Sequence, residues 1–180
     1  HFHVGLTPFQ LGAPDLPLEL WGLARIGTRY VDPYLDQLYG AVQMIESGTT
    51  TVQVIHSSAR GYRPVNMEVT DKVVKAYQDS GMRVSYSTAI ADQNSMVVGA
   101  RGDEDDFASQ LPGDLAERYK SFMARSYLPV EEVMPELEEI CAKYGNNQHE
   151  RVRVTMAPSN VHRCSDALLV ALKKMATKYS

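Results

Sequence analysis

The sequence predicts an α/β fold built on parallel strands, with four short β segments each leading into a helix. Three observations carry that prediction. Runs of β-branched and apolar residues alternate with longer stretches whose apolar positions recur at helical spacing. Single glycines stand where the helices should stop. No glycine-rich phosphate loop follows any strand, which argues against a nucleotide-binding sheet. A closed (β/α)8 barrel takes roughly 250 residues, and about 200 when compact. The 180-residue chain, with four such units, is therefore expected to be half of a barrel of this type. An open, doubly wound sheet is the alternative that four strands can build.

The elements follow in order. His1 and His3 end the first strand. Asp32-Pro33 supplies an N-cap and a proline at the first helical position, and Tyr34, Leu38, Ala41, Val42 and Ile45 continue the helix to Gly48. Thr49 to Ile55 is β-branched enough for a buried strand ending at His56. Val69, Val73, Val74 and Tyr77 mark a second helix closed by Gly81, and Met82 to Ser87 reads as the next strand. A longer excursion from Ala89 to about Asn147 holds a helix over Asp114–Arg125 and another from near Pro129. Arg151 to Ala157 reads as the fourth strand, stopped by Pro158, and Ser165 caps a final helix through Leu168, Leu169, Leu172 and Met175.

Composition excludes several function classes. A net charge of −4 leaves no basic footprint for nucleic acid or a polybasic membrane surface. No apolar run approaches the roughly 20 residues of a membrane span, and no secretory leader is legible. The two cysteines, Cys141 and Cys164, have no metal-binding spacing and suit reduced thiols in a cytoplasmic protein. The acidic run Asp103–Asp106 is expected to be a solvated loop. The chain has no initiator methionine and is expected to be an excerpt, an incomplete gene product or the ordered part of something larger.

Candidate chemistry gathers where strands end, because parallel α/β folds place functional groups at the C-terminal edge of the sheet. Residues i and i+2 of a strand share a face, so His1 and His3 aim two imidazoles at one point. Neutral imidazoles converging in this way are half of a divalent metal site. A tag remnant or frayed end is the competing account of the same pair. Trp21, His56, Gln93 and His162 follow strands and are candidates for lining a substrate pocket. Each has a structural alternative: core anchor for Trp21, capped strand end for His56, turn residue for Gln93 with Asn94, loop decoration for His162. Ser165 reads as a helix cap, since no Gly-x-Ser-x-Gly elbow surrounds it, and Cys164 as a packed small residue.

His1-x-His3, the segment Leu16-Pro17-Leu18-Glu19-Leu20-Trp21, and Glu46-Ser47-Gly48-Thr49-Thr50-Thr51-Val52 together resemble the metal-dependent amidohydrolase superfamily. Within it they are similar to the cytosine/guanine deaminase and chlorohydrolase branch. Ala157 to Asp166 with Leu168-Leu169 is similar to that branch at its fourth strand and helix. The resemblance implies a metallo-hydrolase barrel holding one divalent metal, zinc ahead of iron, with His1 and His3 as ligands. It also implies further histidines at strands five and six, a proton-moving glutamate and a strand-eight aspartate, so the catalytic residues are expected beyond Ser180. The resemblance makes residues 1–180 the first half of the TIM-type (β/α)8 barrel, strands 1 to 4 with their helices, and the β-sandwich domain of the family is not expected within these residues. The implied reaction is hydrolytic deamination of a small amino-substituted heterocycle with release of ammonia. Hydrolysis of an amide or chloro-substituted ring by the same site is the sister reading. A non-catalytic half-barrel that binds or assembles with another chain, a homo-oligomer among the options, is the reading from a different class.

Overall fold

The computed structural model describes residues 1–4, 15–17, 20–21, 24, 31–56, 65–94, 97–99, 102–145 and 150–179. Strand β1 (Phe2–Val4) pairs in parallel with β2 (Thr51–His56), which pairs in parallel with β3 (Arg83–Ile90). Two short strands, β4 (Val152–Val154) and β5 (Ala157–Pro158), both lie parallel to β3 on its far side. Tyr86 pairs with Val154 and Ala89 with Ala157, an equal advance along both strands, so one register runs through the break at Thr155–Met156. The expected single fourth strand is thus interrupted, and it ends at Pro158, its last paired residue.

Spatial order equals chain order from β1 to β4. Right-handed crossovers between successive parallel strands then put every connecting helix on one side of the sheet, whereas a doubly wound sheet needs a reversal. The burial pattern agrees. Val52, Val54, Val84, Tyr86, Val152 and Val154 alternate along the strands and are buried beneath the helices. Their neighbours Thr51, Gln53, Arg83, Arg153 and Thr155 are exposed on the other face. That second face closes toward the strand ends: Ile55 and Ser85 are half-buried and Ser87 is fully buried. Among the described strands the doubly wound alternative is excluded.

The helix layer follows from local signals. Helix α1 (Pro33–Glu46) starts where the Asp32 carboxylate accepts from the Tyr34 and Leu35 amides. Helix α2 (Met67–Ser80) is capped by Asn66 and ends on Gly81 in the left-handed region, φ 72°. Helices α3 (Asp103–Ser109) and α4 (Asp114–Ser126) occupy the excursion after β3, followed by α5 (Val130–Tyr144). The Asp103–Asp106 run is therefore not a loop but the first turn of α3, where carboxylates face the positive end of the helix dipole. Helix α6 (Asp166–Lys178) is capped by Ser165 as expected. None of the described helices is long and apolar enough to cross a membrane.

Polar groups join the helices to one another. Between α1 and α2, buried Tyr77 donates to Gln37 Oε1 at 2.8 Å, and Gln37 donates to Asp36 at 3.0 Å. Burial raises the Tyr77 phenol far above its usual value, so it stays a donor. On the outside, Lys143 and Tyr144 at the end of α5 clasp Asp71 of α2. Lys178 and Tyr179 at the end of α6 clasp Glu138 of α5 in the same manner. Both cysteines are buried and reduced, and burial pushes the Cys141 thiol up to about 11.

Tyr77→Phe removes the donor from the fully buried Gln37 carbonyl and should cost about 1–3 kcal/mol in urea unfolding. Acid should act elsewhere in the helix layer. Burial opposes ionisation of Asp32 and Asp71, but it is outweighed at Asp32 by Lys72 and the Leu35 and Tyr34 amides, and at Asp71 by Lys143 and Tyr144. Both carboxyls are held below their unfolded value of 3.8, so their stabilisation is complete above that value and is lost as pH falls through the folded values. The unfolding midpoint should drop on acidification below 3.8, and less steeply in the Asp32→Asn plus Asp71→Asn variant.

Candidate functional site

Parallel pairing aligns His3 with Ile55 and Ile55 with Ser87, forming a row across the sheet on the face away from the helices. His3 is half-buried there and His1 is exposed. Their ring centroids are 5.2 Å apart with planes at 83°. Two imidazoles sharing one tetrahedral metal at about 2.0–2.1 Å from each nitrogen have ring centres about 5 Å apart, so the spacing fits a shared ion as well as an edge-to-face contact. The decisive feature is chemical. His3 Nδ1 lies 3.1 Å from the Ile55 carbonyl oxygen, an acceptor only, so Nδ1 carries the proton and the lone pair is on Nε2. Metal-ligating histidines are oriented by this kind of backbone bond. Among the described residues no group of three or more His, Cys, Asp or Glu is arranged to hold a metal ion, so His1 and His3 account for two donors and no more.

A second cluster joins the ends of β3 and β5. Asp92, just past β3, accepts from the Ser165 amide at 2.7 Å and the Ser165 hydroxyl at 2.6 Å. Ser165 Oγ in turn accepts from the Leu168 amide, so a carboxylate and a cap together complete the start of α6. The Asp92 and Gln93 amides both donate to the Arg163 carbonyl. Gln93 Nε2 donates to the His162 carbonyl at 3.1 Å, and Asn94 Nδ2 donates to the same oxygen at 3.1 Å and to Gly99 at 2.9 Å. Asn94 is buried and holds a positive φ of 53°, which an asparagine tolerates. Cys164 is buried beside them, its Sγ donating to the Ile90 carbonyl at 3.4 Å, and burial raises its thiol. It is a packing residue.

Beyond this clamp a cleft of about 430 Å³ separates the β3 loop from α3 and α4, with Gln93, Asn94, Glu104, Tyr119, Met123 and Tyr127 among its walls. Tyr119 Oη donates to Glu104 at 2.5 Å, and burial followed by that carboxylate raises its phenol well above the usual range.

The sequence-derived site residues divide accordingly. His1 and His3 come together. Gln93 and His162 also come together, but through the His162 backbone carbonyl, while the His162 side chain is half-buried on a 3-10 turn over Val161–Arg163. Trp21 is half-buried, its amide closing a turn on the Pro17 carbonyl at 2.8 Å. His56 lies elsewhere. It shares the parity of Val52 and Val54 and is buried against the helices, because one step along the strand from Ile55 reverses the face. Its Nδ1 meets Tyr86 Oη at 3.1 Å, and Tyr86 meets Thr70 Oγ1 at 3.3 Å. Thr70 Oγ1 also donates to the Asn66 carbonyl at 2.9 Å, and Thr88 is a further hydrogen-bond partner of the Tyr86 phenol. The pocket reading of His56 is corrected to a link between sheet and α2. The clamp role of Asp92 has no local signal in the sequence, because its partner Ser165 lies seventy-odd residues away.

No protein-family model matches the chain. A 5'-deoxyadenosine deaminase from Methanothermobacter thermautotrophicus is 24% identical over 185 aligned positions, covering 99% of this chain and 33% of the relative. A guanine deaminase from C. acetobutylicum, solved with guanine in its active site, superposes with a TM-score of 0.61 at 18% identity, over 99% of this chain and 36% of that one. A triazine hydrolase variant superposes with a TM-score of 0.58 at 17% identity, over 81% of this chain and 27% of that one. These likenesses show a fold shared with part of the guanine deaminase and triazine hydrolase chains, beside a sequence similarity to part of the 5'-deoxyadenosine deaminase. The chain spans about a third of the length of the two deaminases it matches.

Asp92→Ala should cost about 1–3 kcal/mol, since it strips two charge-assisted bonds from the start of α6. Hydrogen exchange should accelerate first at the amides of Ser165 and Leu168; unchanged exchange there would remove Asp92 from this role.

Proposed function

We propose that the chain is the first half of a (β/α)8 amidohydrolase barrel, strands 1 to 4, in a metal-dependent hydrolase that deaminates an amino-substituted heterocycle. The observation that carries the reading is the His1/His3 pair, with the His3 tautomer set by the Ile55 carbonyl. The deaminases among the relatives support the reaction class. The triazine hydrolase neighbours keep hydrolysis of a chloro-substituted ring as a second reading of the same site.

His1 and His3 would hold one divalent metal through ring nitrogens, zinc in preference to iron, since a nitrogen-donor site binds zinc more tightly than ferrous iron. When bound, such an ion supplies a Lewis acid and lowers the pKa of water, making hydroxide available near neutral pH. This chain's part is to bind and to orient. The Ile55 carbonyl holds the His3 ring through Nδ1, so that Nε2 is the nitrogen that would meet a metal. The Asp92–Ser165 clamp keeps the β3 and β5 ends in fixed relation, so that Gln93, His162 and Trp21 can line a substrate pocket. Proton transfer to the leaving amine falls to residues outside these 180.

His3→Ala should lower bound zinc or iron, measured by elemental analysis of the purified protein, by at least about tenfold. A panel of amino-heterocycles should release ammonia, and silence across that panel with turnover of chloro-substituted rings would transfer the reading to dechlorination. Unchanged metal content in the His1→Ala plus His3→Ala variant would end the ligand assignment.

A further inference from the structure

We infer that the helix-free face of the sheet is an interface for a second β/α layer that presents carboxylates to it, and not for another copy of this chain. The inference rests on the half-barrel reading. A parallel sheet is ordinarily covered on both faces, and the helix layer covers only the face that carries Val52, Val54, Val84 and Tyr86. The other face exposes Thr51, Gln53, Arg83, Arg153 and Thr155. Between them Ser85 Oγ and Thr155 Oγ1 meet at 3.0 Å. None of the described strand residues on this face is acidic, although the chain holds 22 acidic residues against 18 lysines and arginines. The face is polar and cationic in a chain that is acidic as a whole.

Arg83 sets the chemistry of whatever lies opposite. It is exposed, and none of the ion pairs among the described residues uses it. Arginine does not give up its proton on burial, so any cover must desolvate a full positive charge. That is tolerable only where the cover supplies a carboxylate to it. Arg151 adds to the bias, because it reaches the Gly81 carbonyl at 2.9 Å and so keeps a second guanidinium at the start of β3. The flank has a different character. Leu35, Val42 and Ile45 of α1, the helix that follows edge strand β1, are 56%, 45% and 46% exposed and lie in one helical stripe. A cover that continues the sheet and lays its own helix beside α1 removes that stripe from water, whereas a small anion would leave it wet. A second copy of this chain fails at the face. In an eight-strand closure of two halves, the third strands lie across the axis from each other at one height. Two copies would set their Arg83 guanidinium groups against one another, and like charges so placed disfavour the pair.

The experiment is sedimentation equilibrium of the wild-type chain mixed with its Arg83→Glu variant, which serves as the carboxylate-bearing layer. A 1:1 complex of about twice the 20.0 kDa chain mass is expected, at least about tenfold tighter than the self-association of either chain alone. Salt at about 1 M, where charges are screened beyond about 3 Å, should weaken the mixed pair. Arg83 is exposed, so the variant should keep the urea midpoint of the wild type. The neutral Arg83→Gln variant should fold equally well and bring no comparable gain when mixed with the wild type. Wild-type self-association as tight as the mixed pair would make a second copy the occupant and overturn the inference. A mixture that stays at the mass of one chain, equal tightening by Arg83→Gln, or indifference to salt would overturn it as well. All these chains keep His1 and His3, so metal content and ammonia release leave the hydrolase reading to its own test.

Discussion

Parallel pairing in chain order is the constraint from which the other features of this molecule descend. Once β2 lies between β1 and β3, and β3 between β2 and β4, each crossover returns on the same side. The helices have no choice of face. One surface of the sheet becomes a Val- and Tyr-rich layer under α1, α2, α5 and α6, and the other is left to Thr51, Gln53, Ser85, Arg153 and Thr155. All strand ends also point one way. His3, the Asp92 loop and the Ser159–Ser165 segment are therefore collected along a single edge, although they are far apart in sequence.

Helix order is then held by a repeated device. A carboxylate on one helix is taken by a lysine and a tyrosine at the end of a later one, as Asp71 is by Lys143 and Tyr144, and Glu138 by Lys178 and Tyr179. Exposed pairs of this kind contribute little free energy singly. Their effect is on registration, since each clasp matches one height on its partner helix. The energy of the fold resides in the buried layer, where Tyr77, Tyr86, Ile90, Leu137, Ile140, Leu168 and Leu172 are removed from water almost completely.

Two histidines within the first three positions of a chain have different meanings in isolation and in a sheet. The two-residue period brings the rings to one face, but that would hold equally on a frayed strand. What distinguishes His3 is the carbonyl of Ile55, a residue 52 positions away. The same parity that favours His3 removes His56 from its company, because the strand-end residue falls on the helix side. Gln93 and Asn94 show a related effect: they are turn residues and cleft residues at once, because the carbonyl they share belongs to the neighbouring strand's loop.

Features decided within a few residues are legible in the sequence alone. Asp32-Pro33, Asn66 to Gly81 and Ser165 start or stop helices by bonds to their own neighbours, and the strand and helix periods follow from which side chains must leave water. The pairing of His1 with His3 belongs to this class. Features decided across the sheet are not legible there. The acidic run at Asp103 is a helix only because the excursion after β3 packs as a pair, with Tyr119 reaching Glu104. The break between β4 and β5, the side taken by His56, the tautomer of His3 and the Asp92–Ser165 clamp depend on strand register. Register sums contacts over the whole sheet, and so it is settled only by the assembled tertiary structure.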